Sequence, residues 1–453
     1  MKILIAGAGK VGMALTDELS SEGHDITLVD KNSKVLEDAL GKYDVITLEG
    51  NSASRTVLEE AGIRGMDLFI AATNADEVNL LSCITAHALN PDIHAIARIR
   101  DPEYVEQAYE MQNIFSLSLV INPEKQAAQE IARLLKYPGF LKRETFAKAR
   151  VEIVELKVRP NSRMINVPLT KLSSIVGTQV LICAAVRENQ TIMPDGNFVI
   201  KEGDRLFVTG EPKALHEMLT RIGVINMPVS NALITGGGRI SFYLAEELDK
   251  SGIHATILDN DEEKCIELCK KLPNATVIMG DASSHSVLER EDVGQYNAVV
   301  SMTGLDELNI VTSMYAHLYH VPQIVTKLGR GESSELLDSL PIGSIVCPKE
   351  LCTMHIVRYV RAMQAKKGAA LTVHRIADNH AEAIEFEVDS DTRHIGEAFK
   401  DIHFKKNLLI VSVGRGAKTQ IPNGNSSFHQ GDTVVVIATN NTVILQLNDI
   451  FED

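Results

Sequence analysis

Lys2-Ile3-Leu4-Ile5-Ala6-Gly7-Ala8-Gly9-Lys10-Val11-Gly12 opens the chain, and the reading of this stretch decides the fold. An apolar run of strand character passes straight into Gly7-x-Gly9-x-x-Gly12, after which Ala14, Leu15 and Leu19 recur at helical spacing. A strand that turns through glycines into a helix is the start of a dinucleotide-binding βαβ unit. Gly7 permits the tight turn, Gly9 lets a pyrophosphate approach the backbone at a helix N-terminus, and Gly12 lets the helix pack close on the sheet. Asp30, twenty-three residues after Gly7, closes the run Ile26-Thr27-Leu28-Val29 and is placed to accept hydrogen bonds from the adenosine ribose hydroxyls. A carboxylate there disfavours the extra phosphate of NADP.

The fingerprint returns 229 residues later as Gly236-Gly237-Gly238, followed by Arg239 and Ile240, and Asp259 again lies twenty-three residues on, after Thr256-Ile257-Leu258. Asp76-Glu77-x-Asn79 recurs as Asp306-Glu307-x-Asn309. Pro194-Asp195-Gly196-Asn197 with Gly203-Asp204 recurs as Pro422-Asn423-Gly424-Asn425 with Gly431-Asp432. The displacement is nearly constant, so a whole two-part unit has been duplicated.

In the first part of each unit, β-branched runs alternate with helical stretches, among them Lys2 to Ala6, Asp25 to Val29, Asp44 to Leu48, Leu68 to Ala72 and His94 to Ile99. The expected fold class is therefore α/β: tandem Rossmann-like doubly wound parallel sheets, each followed by a small α+β C-terminal lobe. The boundaries read as a first nucleotide-binding lobe over 1–122, a crossover helix over 123–141 and a small lobe over 142–225. They repeat as 230–347, 348–366 and 370–453. Each crossover helix carries an apolar stripe, Ala127, Ala128, Ile131, Leu134 and Leu135 in one and Leu351, Met354, Val357 and Val360 in the other. Core packing is the expectation for such a stripe, with a dimerisation face as the alternative. The small lobes read as strands around Pro-Asp-Gly and Gly-Asp turns, with Lys142 to Arg150 and Met363 to Val373 as linkers.

Composition supports a globular chain with 45% apolar and 23% charged residues. A formal net charge of −15 argues against nucleic acid as a partner. The strand-like start leaves no room for a signal peptide, which places the chain in the cytoplasm. No run approaches the roughly eighteen apolar residues of a membrane span, so attachment to a membrane requires a protein partner. Cys265 and Cys269 share one helix face without Cys-x-x-Cys pairing, and read as buried small hydrophobes.

Around the glycines, Lys10 and Arg239 can reach phosphate charge. Thr73-Asn74 and Thr303-Gly304 end the fourth strand of each copy, where ligands lie in such sheets. Arg98 and Lys327 close the fifth strand with a cation toward the same crevice. Ser241 replaces the third glycine in copy two and is expected to push helix and strand slightly apart.

These residues, with Asn122-Pro123-Glu124, resemble the regulator-of-potassium-conductance domains, in the form carried by the regulatory proteins of Trk-type potassium uptake systems. The likeness spans essentially the whole chain. It implies an oligomeric ring, a tetramer in the simplest case, docked on the cytoplasmic face of a membrane potassium-translocating subunit. It further implies that NAD or NADH, or ATP or ADP, shifts its conformation. In related proteins the small lobe can bind cyclic di-AMP, though no motif here settles that. Copy two departs from the pattern at Ser241, at Lys327 in place of Arg98, and at Cys347-Pro348 in place of Asn122-Pro123, which puts an identical ligand in both lobes in doubt.

The rival reading is an NAD-dependent oxidoreductase. It needs a substrate domain with an acid/base residue over the nicotinamide, and the sequence offers no Ser/His/Asp arrangement, no His-Glu-x-x-His and no Tyr-x-x-x-Lys. An NADH-sensing transcription factor would need a basic helix-turn-helix, and neither terminus supplies one. Paired ligand sites without catalytic residues suit a switch.

Overall fold

The computed structural model describes residues 1–112, 114–136, 142–146, 151–160, 162–188, 190–223, 228–329, 337, 340–364, 370–377, 380–416, 418–439, 444 and 446–452. The first lobe runs β1 (Lys2–Ala6), α1 (Lys10–Ser21), β2 (Asp25–Asp30), α2 (Ser33–Leu40), β3 (Ile46–Glu49), α3 (Arg55–Glu60), β4 (Leu68–Ala71), α4 (Asp76–Leu89), β5 (His94–Arg98), α5 (Pro102–Glu110), β6 (Leu119–Ile121) and α6 (Pro123–Lys136). Its strands pair in the order β3-β2-β1-β4-β5-β6, with β1 parallel to both β2 and β4. Helices cover both faces, which is why β1 and β4 are apolar along their length and not alternating.

The first small lobe comprises β7 (Lys142–Phe146), β8 (Val151–Lys157), α7 (Leu169–Val176), β9 (Leu181–Arg187), β10 (Gln190–Ile192), β11 (Arg205–Gly210) and α8 (Pro212–Arg221), and its strands are antiparallel. The second large lobe repeats the first: β12 (Asn231–Thr235), α9 (Arg239–Lys250), β13 (His254–Asp259), α10 (Glu262–Lys271), β14 (Thr276–Met279), α11 (His285–Arg290), β15 (Ala298–Ser301), α12 (Asp306–Leu318), β16 (Gln323–Lys327), β17 (Ser344–Val346) and α13 (Pro348–Gln364). The chain ends with β18 (Thr372–Ile376), β19 (Ala381–Glu387), β20 (Leu408–Arg415), β21 (Lys418–Gln420) and β22 (Thr433–Thr439). Strand orders match between copies, β14-β13-β12-β15-β16-β17 for the large sheet and β18-β19-β22-β20-β21 for the small. The expected tandem α/β architecture is what the chain adopts.

The crossover helices are exchanged between lobes. Ala127, Ala128, Ile131, Leu134 and Leu135 of α6 are buried, and their neighbours are Ala232, Ile234, Tyr243, Leu244 and Leu248 of the second lobe. Reciprocally, Cys352, Ile356, Val357 and Val360 of α13 complete the core of the first lobe beside Ile3, Ile5, Val11 and Leu15. The stripe on α6 is thus core packing, as expected, in the core of the other half of the same chain; of the stripe expected on α13, Val357 and Val360 join the first lobe's core, whereas Leu351 packs against the core of its own lobe and Met354 lines a cavity. An ion pair between Arg361 and Glu22 fastens α13 to the far end of α1.

Alternation in the small lobes gives each sheet two apolar faces. One face of the first packs on α7 and α8 through Leu172, Val176, Leu215, Met218 and Leu219. The opposite face, with Val151, Ile153, Ala184 and Phe207, meets Ala383, Val411, Val435 and Ile437 of the second small lobe. Buried Asp204 and Asp432 hold their Gly-Asp turns by bidentate pairs with Arg187 (2.7 and 2.7 Å) and Arg415 (2.9 and 2.8 Å).

Three expectations are corrected. Lys142–Phe146, read as linker, is the edge strand of the first small sheet, because its backbone pairs with β8; residues 147–150 lie outside the described residues. Met363 and Gln364 still belong to α13 and Thr372 already begins β18; residues 365–369 lie outside the described residues. Cys265 is buried, but Cys269 is exposed. Among the described residues no helix is long and apolar enough to cross a membrane.

Replacing fully buried Ile131 on α6 with Ala should cost about 2–5 kcal/mol. Hydrogen exchange should then show lost protection in β12 and α9 of the second lobe before β1 and α1 of the first. The reverse order would refute the helix exchange.

Candidate nucleotide crevices

At the first glycine loop Gly7 adopts φ +102° and donates its N–H to the Val29 carbonyl at 2.7 Å. A Cβ on Gly12 would stand 1.8 Å from the Gly7 oxygen, so only glycine lets α1 approach this closely. A Cβ on Gly9 would meet nothing within 4 Å, leaving that backbone open to a ligand. Asp30 braces the loop from the end of β2: one carboxylate oxygen accepts from Ala8 N–H at 2.7 Å and the other from Asn32 N–H at 2.9 Å. A carboxylate has lone pairs beyond these two bonds, so the same residue could still hold a ribose. Val11 is buried under the loop.

The second loop repeats the geometry. Gly236 has φ +99° and donates to Leu258 O at 2.8 Å. Asp259 accepts from Gly237 N–H at 2.5 Å and from Asp261 N–H at 2.9 Å. Gly238 and Arg239 are exposed and Ile240 is half-buried. Ser241 does not act as a simple wedge. It is buried, and its hydroxyl donates to the Gly236 carbonyl, turning the tight spot of the first copy into a hydrogen bond between helix and loop.

Across the carboxyl edge of the sheet, Thr73 and Arg98 are brought together by Asn79, which the sequence marked only as a repeat landmark. Its side-chain oxygen accepts from Thr73 N–H (2.9 Å) and Oγ1 (2.6 Å), while Nδ2 donates to Arg98 O at 2.8 Å. Asn309 does the same for Thr303 and Lys327, at 2.7, 2.8 and 3.0 Å. Asp76, also read only as a landmark, accepts from the N–H groups of Arg100 (2.8 Å) and Asp101 (2.9 Å), and Arg100 reaches over to the Asn74 carbonyl. Recurrence of Asp-Glu-x-Asn in both copies was the available signal for these residues. Gly304 is open, with nothing within 4 Å of a Cβ there.

The two closing cations behave differently. Arg98 lies 3.9 Å from Glu124, and its Nε is buried without a hydrogen-bond partner among the described residues. Lys327 donates to the Thr303 carbonyl at 2.6 Å. Burial pushes its pKa down and the charge of Lys10 adds to that, against an opposing pull from Asp306.

That influence of Lys10 crosses the lobes. A Cβ on Gly329 would lie 3.6 Å from the Lys10 Nζ, so this ammonium stands beside the second crevice although it begins α1 of the first lobe. In the opposite direction, Tyr243 of α9 reaches the first lobe, accepting from Asn122 Nδ2 at 2.9 Å and donating to Arg100 O at 3.4 Å. Burial, foremost, raises the Tyr243 phenol to about 12, keeping it a neutral donor. Residues beside each crevice therefore touch the other lobe across the seam. A cavity of about 1310 Å³ runs along it, lined by Ala8, Lys10, Gly329 and Cys347, and extends to Arg205 and Phe207 of the first small lobe. The arrangement can take a pyrophosphate on each glycine loop and feel it from both lobes.

A family model described as the TrkA-N domain matches residues 3–123 and 232–348, and one described as the TrkA-C domain matches 153–223 and 383–451. The chain is 28% identical over 445 residues to Trk system potassium uptake protein TrkA homolog 1 of Methanosarcina mazei, covering 97% of each. It is 27% identical over 455 residues to Trk system potassium uptake protein TrkA of Vibrio alginolyticus, covering 100% of this chain and 99% of that one. Among solved structures, the crystal structure of the GsuK RCK domain superposes with a TM-score of 0.63 at 17% identity over 97% of this chain and 92% of that one. The GsuK channel bound to NAD gives 0.60 at 17%, over 97% and 77%. At this identity the structural likeness speaks for the fold.

Gly12→Ala should cost about 3 kcal/mol, because a backbone carbonyl blocks the new methyl. Ser241→Ala, which loses one neutral hydrogen bond, should cost only about 1 kcal/mol. Urea denaturation of both variants checks this, and equal costs would contradict the close approach at Gly12.

Proposed function

The chain belongs to the family that pairs TrkA-N with TrkA-C domains, and we propose that it is a nucleotide-sensing regulatory subunit gating a membrane potassium-translocating partner of Trk type. One observation carries this reading: both glycine loops lie at the seam of two lobes that share their core helices. A ligand in either crevice therefore biases how the lobes meet, and differential affinity for two arrangements is what a switch requires. Relatives matched over nearly their whole length are named potassium uptake proteins, and a channel of the same fold carries NAD, which supports the choice of partner and ligand.

In this proposal NAD or NADH lies in the first crevice along Gly7, Ala8, Gly9 and Val11, its adenosine ribose on Asp30, with Thr73, Asn74 and Arg98 at the sheet edge. ATP or ADP competes for the same loops. The protein sits on the cytoplasmic face of the membrane as a homo-oligomeric ring and performs no turnover. The polar groups at the sheet edge support that last point, since Asn79, Asp76 and Asn309 are engaged in holding backbone.

Calorimetry on the full chain should show NADH binding, with no oxidation in the presence of alcohols or hydroxy acids. Asp30→Ala should weaken binding about tenfold or more, as loss of a charged hydrogen-bond acceptor implies. The chain should also retain a potassium-translocating protein from native membranes. Steady NADH consumption with any such substrate would replace the regulator with an oxidoreductase.

A further inference from the structure

Away from the seam, a groove of about 420 Å³ runs between α10 and β14, the outermost strand of the second large sheet. Cys265, Cys269 and Lys270 line it from the helix, and Val277 and Met279 from the strand. Three sulfur-bearing side chains thus share one groove. Cys269 and Met279 are exposed, whereas Cys265 is 7% exposed and donates its thiol to the Asp259 carbonyl at 3.5 Å. The first lobe has Leu36, Leu40 and Glu49 at the same places, so the shared fold does not account for the sulfurs. Residues four apart on a helix have Cβ atoms about 5–6 Å apart, beyond the roughly 3.5–4.5 Å of a disulfide. Cys265 and Cys269 therefore cannot close on each other while α10 is intact. An ion bridging two thiolates fits that gap, since each metal–thiolate bond is about 2.3 Å long.

We propose that Cys265, Cys269 and Met279 form a three-sulfur site for a soft monovalent cation of the Cu(I) class. Thiolate and thioether donors select such an ion, whereas zinc takes four ligands. Among the described residues no three His, Cys, Asp or Glu side chains are placed to hold a metal, so Glu262, which also lines the groove, does not complete a zinc site with the two cysteines. Binding breaks two S–H bonds, forms two copper–thiolate bonds and one copper–thioether bond, and releases two protons to water with no change of oxidation state. The loaded site carries one negative charge, which the Lys270 ammonium offsets. Burial foremost, then Asp259, Cys269 and Asp261, push the Cys265 thiol up, so the ion must displace a firmly held proton and its affinity falls as pH falls.

The site is independent of the nucleotide-sensing reading. Anaerobic titration of the full chain with Cu(I) against a chromophoric Cu(I) chelator should show one ion per chain, which Zn(II) does not displace. X-ray absorption at the copper edge should find sulfur neighbours alone. Cys269→Ser, at an exposed position that folding does not depend on, should weaken binding about a hundredfold, and Met279→Leu about tenfold. The double variant Cys265→Ser/Cys269→Ser should bind no copper, with circular dichroism showing that it folds. Copper still bound one to one by that double variant, an affinity unmoved by Met279→Leu, or displacement of Cu(I) by Zn(II) would each overturn the three-sulfur site.

Discussion

Neither large lobe can complete its own core. An amphipathic helix leaves the last parallel strand of each sheet and buries its stripe on the opposite lobe, so Ile131 lies with Leu244 and Val357 lies with Leu15. Each helix starts one residue after its strand, at Pro123 or Pro348, a residue type suited to the first helical position. Burial of fully apolar side chains, worth roughly 1.5–3 kcal/mol each, thereby becomes the force that fixes the angle between lobes. Everything at the seam, from the Asn122–Tyr243 hydrogen bond to the place of Lys10, follows from that exchange.

Most of the architecture was readable because its signals are local. A glycine turn after an apolar strand, an acidic residue at fixed spacing and a constant displacement between copies require no knowledge of distant contacts. The destination of the stripe on α6 was not readable. Periodicity reports which face of a helix is apolar and says nothing of which sheet covers it. The edge strand Lys142–Phe146 escaped for a related reason: Lys142-Arg143-Glu144 has no apolar alternation, and pairing with β8 holds it in place. In the crevices, Gly7 and Gly12 revealed their parts by residue type, whereas the bonds by which Asp30 braces the loop did not show in the sequence. Asn79 and Asp76 act through hydrogen bonds to backbone that folds back from β5, and Lys10 acts across lobes, so their parts depended on tertiary structure.

A switch built on two crevices has an energetic advantage over one. Moving a two-state equilibrium from one arrangement almost wholly to the other takes about 5.5 kcal/mol of differential affinity, a severe demand on a single ligand. Two ligands seated on one seam divide it. The small lobes sit within reach, since Arg205 and Phe207 line the seam cavity and Phe207 also belongs to the apolar contact between small sheets.

The Asn122–Tyr243 hydrogen bond is one that no symmetric pair of identical halves could make. Two copies of the first half would set Asn122 against Ala14, and two copies of the second would set Cys347 against Tyr243. In a two-fold dimer every substitution at the interface is made twice, and a change that helps at one seam is imposed on the other. Two unequal halves in one chain escape that restriction: one seam is closed with a tyrosine while its twin is hollow.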